Sequence, residues 1–243
     1  MLTRRGKGKH PQIVFTSDFH QLVRGDRLPG KCVLRYDPYR IVPPNEVSSL
    51  PATQRPIVAC VRFHPSGQLW AGDLRFAPAS RIVPDWDPTG HGTAIECTYD
   101  IPEGVDELEC WFSYNDNSGQ TLWDSAMGNN YWLRFPTLDL DIPTAEIVAQ
   151  PKEPTDLLKL EVVSIPTVQT VRVRWRYTTD IAGARQQHPL TPSSEGNSKH
   201  WTLPHEVSQV ASNTPLAFDL VYTAGGHEFT DDNEGSWYVL SRS

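Results

Sequence analysis

One spacing occurs twice in this chain, and it constrains the fold more than any other feature. Gly119, Asp124 and Gly128 are followed by Tyr131-Trp132, and near the C-terminus Gly226, Asp231 and Gly235 are followed by Trp237-Tyr238. In each copy Asp lies five residues after the first Gly, and the second Gly lies four further on. Glycines so placed supply the positive φ of two tight bends. The intervening Asp is suited to accept backbone N–H bonds inside the loop, as an Asx turn does. A pattern held this closely predicts two related modules in tandem.

A chain of 243 residues accommodates one large β domain or two modules of about 100 residues each. Its 21 prolines and 16 glycines leave few long helical periods and favour short strands joined by turns. The clearest strand is Val171 to Tyr177: Val171, Val173, Trp175 and Tyr177 alternate with Arg172, Arg174 and Arg176. Period two sends the first set to a core and the arginine ridge to water. The expected fold is all-β, two tandem immunoglobulin-like antiparallel β-sandwich modules. Residues 1–11 read as a basic tail and 12–56 as N-terminal strands packing on the first module, 57–141. The proline-bearing segment 142–156 reads as a linker, and 157–243 as the second module with a polar loop over 180–200.

The formal charge of −7 argues against a general nucleic-acid binder, which needs a basic surface. No apolar run is long enough to cross a membrane, and the basic N-terminus lacks the apolar segment of a secretory leader, so a cytoplasmic protein is expected. Cys32, Cys60, Cys97 and Cys110 lack zinc-type spacing and read as reduced, mostly buried thiols. A bridge between Cys97 and Cys110 requires the strands around Pro102-Glu103-Gly104 to pair. No phosphate-binding loop, dinucleotide fingerprint, nucleophile elbow or zinc signature is present. Neither a cofactor nor a metal is expected. Asp231-Asp232-Asn233-Glu234 lacks the alternating ligands of a calcium loop.

Gly119-Gln120-Thr121-Leu122-Trp123-Asp124-Ser125 with Gly128-Asn129-Asn130-Tyr131 resembles the signature of family 21 carbohydrate-binding modules. These are the starch-binding domains of amylases and of glycogen-targeting phosphatase subunits. Ile95 to Pro102 and Leu108 to Phe112 stand where that family has its two preceding strands. In the second module Val173 to Asp180, Trp201 to Pro204, Phe218 to Tyr222 and Gly226 to Gly235 follow in the family's order. The resemblance covers roughly 57–136 and 157–241 and implies glycan binding at the motif. Ser125 and Ala126 stand where the family carries two Asn. The second copy has Thr230 in place of the Trp and Ser236-Trp237 in place of Asn-Tyr. Whether that copy keeps a site is left open.

Trp123, Tyr131 and Trp132 offer flat apolar faces to sugar rings, while Asp124, Asn129 and Asn130 offer hydrogen bonds to hydroxyls. Trp111, Trp175 and Trp201 are assigned to the core. The rival reading is a cofactor-independent enzyme acting on a small molecule in a pocket of the first module or between modules. His20, His64, Asp85, Asp87 and His91 would then supply acid–base chemistry. A third is a protein–protein adaptor using the arginine ridge or the basic tail. Arg172-Val173-Arg174-Trp175 formally fits a phosphatase-docking motif, but its place in a core strand rules docking out.

Overall fold

The computed structural model describes residues 6–47, 50, 56–76, 95–180, 185–195 and 198–242. The protein is mostly β, with a few short helices, and its chain contacts divide it into two units, one from Gly8 to Arg134 and one from Phe135 onward. Among the described residues no helix is long and apolar enough to cross a membrane.

Among the described residues, nine strands build the first unit: β1 (Gln12–Phe15), β2 (Gln21–Arg24), β3 (Gly30–Tyr36), β4 (Ile57–His64), β5 (Leu69–Phe76), β6 (Ile95–Ile101), β7 (Glu107–Asn115), β8 (Thr121–Asp124) and β9 (Tyr131–Leu133). A four-residue helix, α1 (Pro44–Val47), follows β3. The strands form one curled, mixed sheet in the order β2-β1-β3-β6-β5-β4-β7-β8, with β9 also on β7. β1 and β3 run parallel, so this is not the pair of antiparallel sheets expected from the sequence. Strands β1 to β3 are hydrogen-bonded into the sheet through β3 and β6 rather than lying against it. The curl is made by β5. Its residues from Leu69 to Leu74 pair with β4, whereas Arg75 and Phe76 pair with β6. The two arms close on an aromatic centre: Phe112 of β7 lies 4.7 Å from Phe15 of β1 and 4.2 Å from Tyr36 of β3, all fully buried. Each such side chain contributes about 1.5–3 kcal/mol by leaving water.

The second unit opens with a short helix, α2 (Pro136–Asp139), and β10 (Leu140–Val148), so much of the expected linker is a strand. β11 (Thr155–Ser164), β12 (Val168–Tyr177), β13 (Gln186–Pro189), β14 (Thr191–Glu195), β15 (Ser198–Thr202), β16 (Gln209–Ala211), β17 (Leu216–Ala224), β18 (His227–Asp231) and β19 (Tyr238–Leu240) follow. They form two antiparallel sheets, β10-β11-β15-β14 with β16 on β11, and β13-β12-β17-β18 with β19 on β17. Within the stretch 180–200 lie β13, β14 and the start of β15, where a loop was expected; β13 and β14 are edge strands exposed over most of their described side chains, so their polar composition carried no strand period. Two hydrogen bonds link the sheets: the Ala211 amide donates to the Tyr177 hydroxyl at 2.9 Å, and Lys199 Nζ donates to the Val168 carbonyl at 2.7 Å. Trp175 and Trp201 are core residues, as their positions predict.

Candidate functional site

The doubled spacing proves to be a backbone device. In the first copy, β7 pairs with both β8 and β9; in the second, β17 pairs with both β18 and β19. Positive φ falls at Ala126, Met127, Gly128 and Asn130 in one loop and at Asn233, Glu234, Gly235 and Trp237 in the other. The Asn130 amide closes the first loop on the Ser125 carbonyl at 2.8 Å, and the Trp237 amide closes the second on the Asp232 carbonyl at 2.7 Å. In each copy the Asp carboxylate takes the hydroxyl of the Tyr seven residues on: Tyr131 donates to Asp124, and Tyr238 donates to Asp231 at 3.1 Å.

Asp124 is therefore spent inside the fold rather than offered to a ligand. It also accepts from the Tyr36 hydroxyl at 2.7 Å and from Arg40 Nε at 2.8 Å. Arg40, fully buried in its side chain, donates onward to the Thr16 carbonyl and to the Tyr131 hydroxyl. Rings of Phe15, Phe19, Tyr36 and Tyr131 surround its guanidinium at 4.7–5.7 Å. Burial opposes the Arg40 charge, but Asp124 beside it prevails and raises its pKa above the ordinary value. Burial and the neighbouring Asp124 push the Tyr36 hydroxyl well above its usual range. Tyr131 consequently has its polar end locked inward, with its ring half-buried. The sequence reading offered Asp124 and Tyr131 to a ligand; parity turns the polar groups of both inward, since they pair with inward-facing residues of β7, Phe112 and Cys110.

The opposite parity builds the exposed face. Glu109, Trp111 and Ser113 of β7 point away from the core; Trp123 of β8 stands opposite Ser113, and Trp132 of β9 stands opposite Glu109. β8 and β9 share one edge of β7, so Trp123 and Trp132 lie on the same side of Trp111, two residues above and below its level, and the three form a bent row with steps of about 7–8 Å. Trp123 is 61% exposed, and Met127 beside the row is wholly exposed. Trp111 is half-buried on this face rather than in the core. From β4, Arg62 lies over the Trp111 ring at 5.3 Å, and the His64 ring lies 4.8 Å from that of Trp132.

Glu109 holds this face together. Its Oε2 accepts from Arg62 Nη1 at 2.9 Å and meets His64 Nε2 at 3.1 Å; its Oε1 accepts from Asn130 Nδ2 at 2.6 Å. Burial pushes the Glu109 carboxyl up, but the hydrogen bonds from Asn130 and His64 and the Arg62 charge together hold it below the usual carboxylate range. Asn129 is exposed, and its carbonyl accepts from Trp132 Nε1 at 3.2 Å. Of the expected ligand residues, then, Trp123, Asn129, Asn130 and Trp132 gather around one surface. Arg62, Glu109 and Trp111 complete it unforeseen. The available signal was the alternation of Glu109 and Trp111 against buried Leu108, Cys110 and Phe112.

Of the acid–base candidates among the described residues, His20 and His64, His64 joins this surface. His20, three-quarters exposed, pairs with Asp18 at 2.8 Å in the β1–β2 turn. Asp85, Asp87 and His91 lie outside the described residues. A groove of about 400 Å³ between β5 and β6 is lined by Trp70, Arg75, Phe76, Glu96, Cys97 and Thr98. Glu96 there is occupied by buried Arg35 at 3.2 Å, and burial pushes the Cys97 thiol up to about 12, so neither serves as base or nucleophile at neutral pH. All four cysteines are free, and β6 and β7, which carry Cys97 and Cys110, are not neighbours in the sheet.

The arginine ridge of the second unit is neutralised across its own sheet. Arg174 makes a two-pronged pair with Asp219 at 2.8 and 2.6 Å, and Arg172 pairs with Glu228. Arg176 and Arg185 lie over the Trp237 ring at 5.1 and 4.2 Å. No model of a known protein family matches the chain, and no curated protein matches it by sequence.

Proposed function

We propose that this protein binds an α-glucan or a related glycan without catalysis, and that the contact surface is the outer face of β4, β7, β8 and β9. The observation that carries the reading is Trp123: an indole 61% exposed in a folded sheet, heading a row of tryptophans flanked by hydrogen-bonding groups. Leaving so large an apolar ring in water costs free energy that a partner recovers on covering it. A glycan chain, its rings apolar on the face and hydroxylated at the rim, complements exposed indole on the same face as Arg62, His64 and Asn130. The resemblance of Gly119 to Tyr131 to family 21 carbohydrate-binding modules supports the same class of ligand. Within that reading the two units are divergent immunoglobulin-like modules, supported by the matched loops at Asp124 and Asp231; the binding surface belongs to the first.

The test is retention on amylose, glycogen and cellulose by wild type, Trp123→Ala and Trp111→Ala, with folding checked by circular dichroism. Wild type is expected to bind the α-glucans. Loss of the Trp123 anchor, worth ~2 kcal/mol, weakens binding about thirtyfold. Failure of the wild type to bind any of the three removes the proposal.

A further inference from the structure

Resting on that reading, we infer that the ligand of this face is a neutral sugar engaged through adjacent hydroxyls, with Glu109 as the positioning residue that sets Arg62 as donor and His64 as acceptor. The argument starts from one oxygen. Glu109 Oε2 meets both Arg62 Nη1, at 2.9 Å, and His64 Nε2, at 3.1 Å. A carboxylate has no hydrogen to give, so the imidazole nitrogen facing it must carry the proton. In the neutral ring Nδ1 is then bare and accepts. Trp132, with its ring 4.8 Å away, keeps the imidazole plane in place. Arg62 spends one nitrogen on Glu109; among the described residues its remaining N–H groups have no acceptor, and its side chain is 41% exposed. The face thus presents a fixed donor and a fixed acceptor on the same side of the sheet as the exposed Trp123 indole. Neighbouring hydroxyls on one sugar ring, each able to donate and accept, satisfy both. Trp123, opposite Ser113 where His64 is opposite Glu107, lies about 20 Å along β7 and is covered by a further ring of the same chain.

Charge decides between a neutral and an acidic sugar. Glu109 already balances Arg62. Glu107, opposite His64 on β7, is balanced by Arg134 at 3.1 Å. Asp73 stands exposed on β5, opposite Val58 of β4. A uronate carboxylate would compete with Glu109 for one guanidinium and meet uncompensated negative charge, whereas a hydroxyl pair meets none.

Two measurements test this separately from glycan binding as such. Long-range proton–nitrogen NMR of the imidazoles, at a pH where His64 is neutral, is expected to show His64 as the Nε2–H tautomer in wild type and as a mixture in Glu109→Gln. A dominant Nδ1–H form in wild type, or an unchanged tautomer in Glu109→Gln, overturns the positioning role. Titration of wild type with maltoheptaose and with oligogalacturonate is expected to show the neutral chain binding at least about tenfold more tightly, the worth of one well-made hydrogen bond to a charged group. Glu109→Gln weakens maltoheptaose by a similar factor, and His64→Gln, which keeps an acceptor, weakens it less than His64→Met. Tighter binding of oligogalacturonate overturns the ligand class. Binding of neither, with the tautomer as stated, discards the glycan reading and the ligand class together but upholds Glu109's role in positioning His64.

Discussion

Asp124 accepts hydrogen bonds from Tyr36, Tyr131 and Arg40, so truncating it leaves a buried guanidinium without its counter-charge. Asp124→Ala is expected to destabilise the first unit by about 3–5 kcal/mol in urea unfolding. Trp123→Ala, one strand position earlier and exposed, is expected to shift stability by no more than about 0.5 kcal/mol. Adjacent residues thus separate support from recognition. Glu109 yields a pH prediction. Its folded pKa lies below 4.5, the ordinary value, so the stability it contributes is full above about pH 4.5 and is lost as pH falls through the folded value. Protonated Glu and Gln are near-isosteres. The difference in thermal midpoint between wild type and Glu109→Gln should therefore narrow below pH 4.5 and vanish at lower pH; a constant difference from pH 6 to pH 3 would refute the linkage.

At the scale of elements, the β7-β8-β9 and β17-β18-β19 hairpins are one device used twice. Each loop forces L-residues into positive φ at three positions, and such a backbone persists only where surrounding contacts over-determine it. The buried Asp–Tyr bond is that contact in both. Gly128 and Gly235, at φ of 91° and 86°, meet the same demand. Gly128→Ala is expected to cost about 1–2 kcal/mol through backbone strain alone, because a Cβ there meets nothing within 4 Å, and Gly235→Ala at least the same strain. Gly72 is a different case. A Cβ there would lie 2.5 Å from the Trp70 ring, so Gly72→Ala must displace that indole from its place against Tyr99. An altered near-ultraviolet circular dichroism spectrum with an intact far-ultraviolet one is the expected signature.

For the whole molecule, one unit carries an exposed tryptophan row and the other answers its outward charges internally. Arg172 and Arg174 face Glu228 and Asp219, and Trp237 is covered by two arginines. Trp237→Ala is accordingly expected to leave α-glucan retention unchanged, where Trp123→Ala weakens it about thirtyfold. An equal loss in both variants would show that the second copy also binds.

The repeat, the strand-rich composition and the alternation of Val171 to Tyr177 are local properties, written in residue type and spacing, and they sufficed for the β class. Other assignments needed the pairing partners. Asp124 and Trp123 are adjacent in sequence, and only their register against Phe112 and Ser113 turns one to the core and the other to water. Trp111 is as apolar as its buried neighbours, so hydrophobicity could not place it outside. Glu109 meets Arg62 and His64 from a strand more than forty residues away, a contact that no local pattern encodes. The sequence determined which strands could form and where they turn. The tertiary structure decided which face each side chain occupies, because strand parity becomes inside or outside only when a second layer covers one side of the sheet.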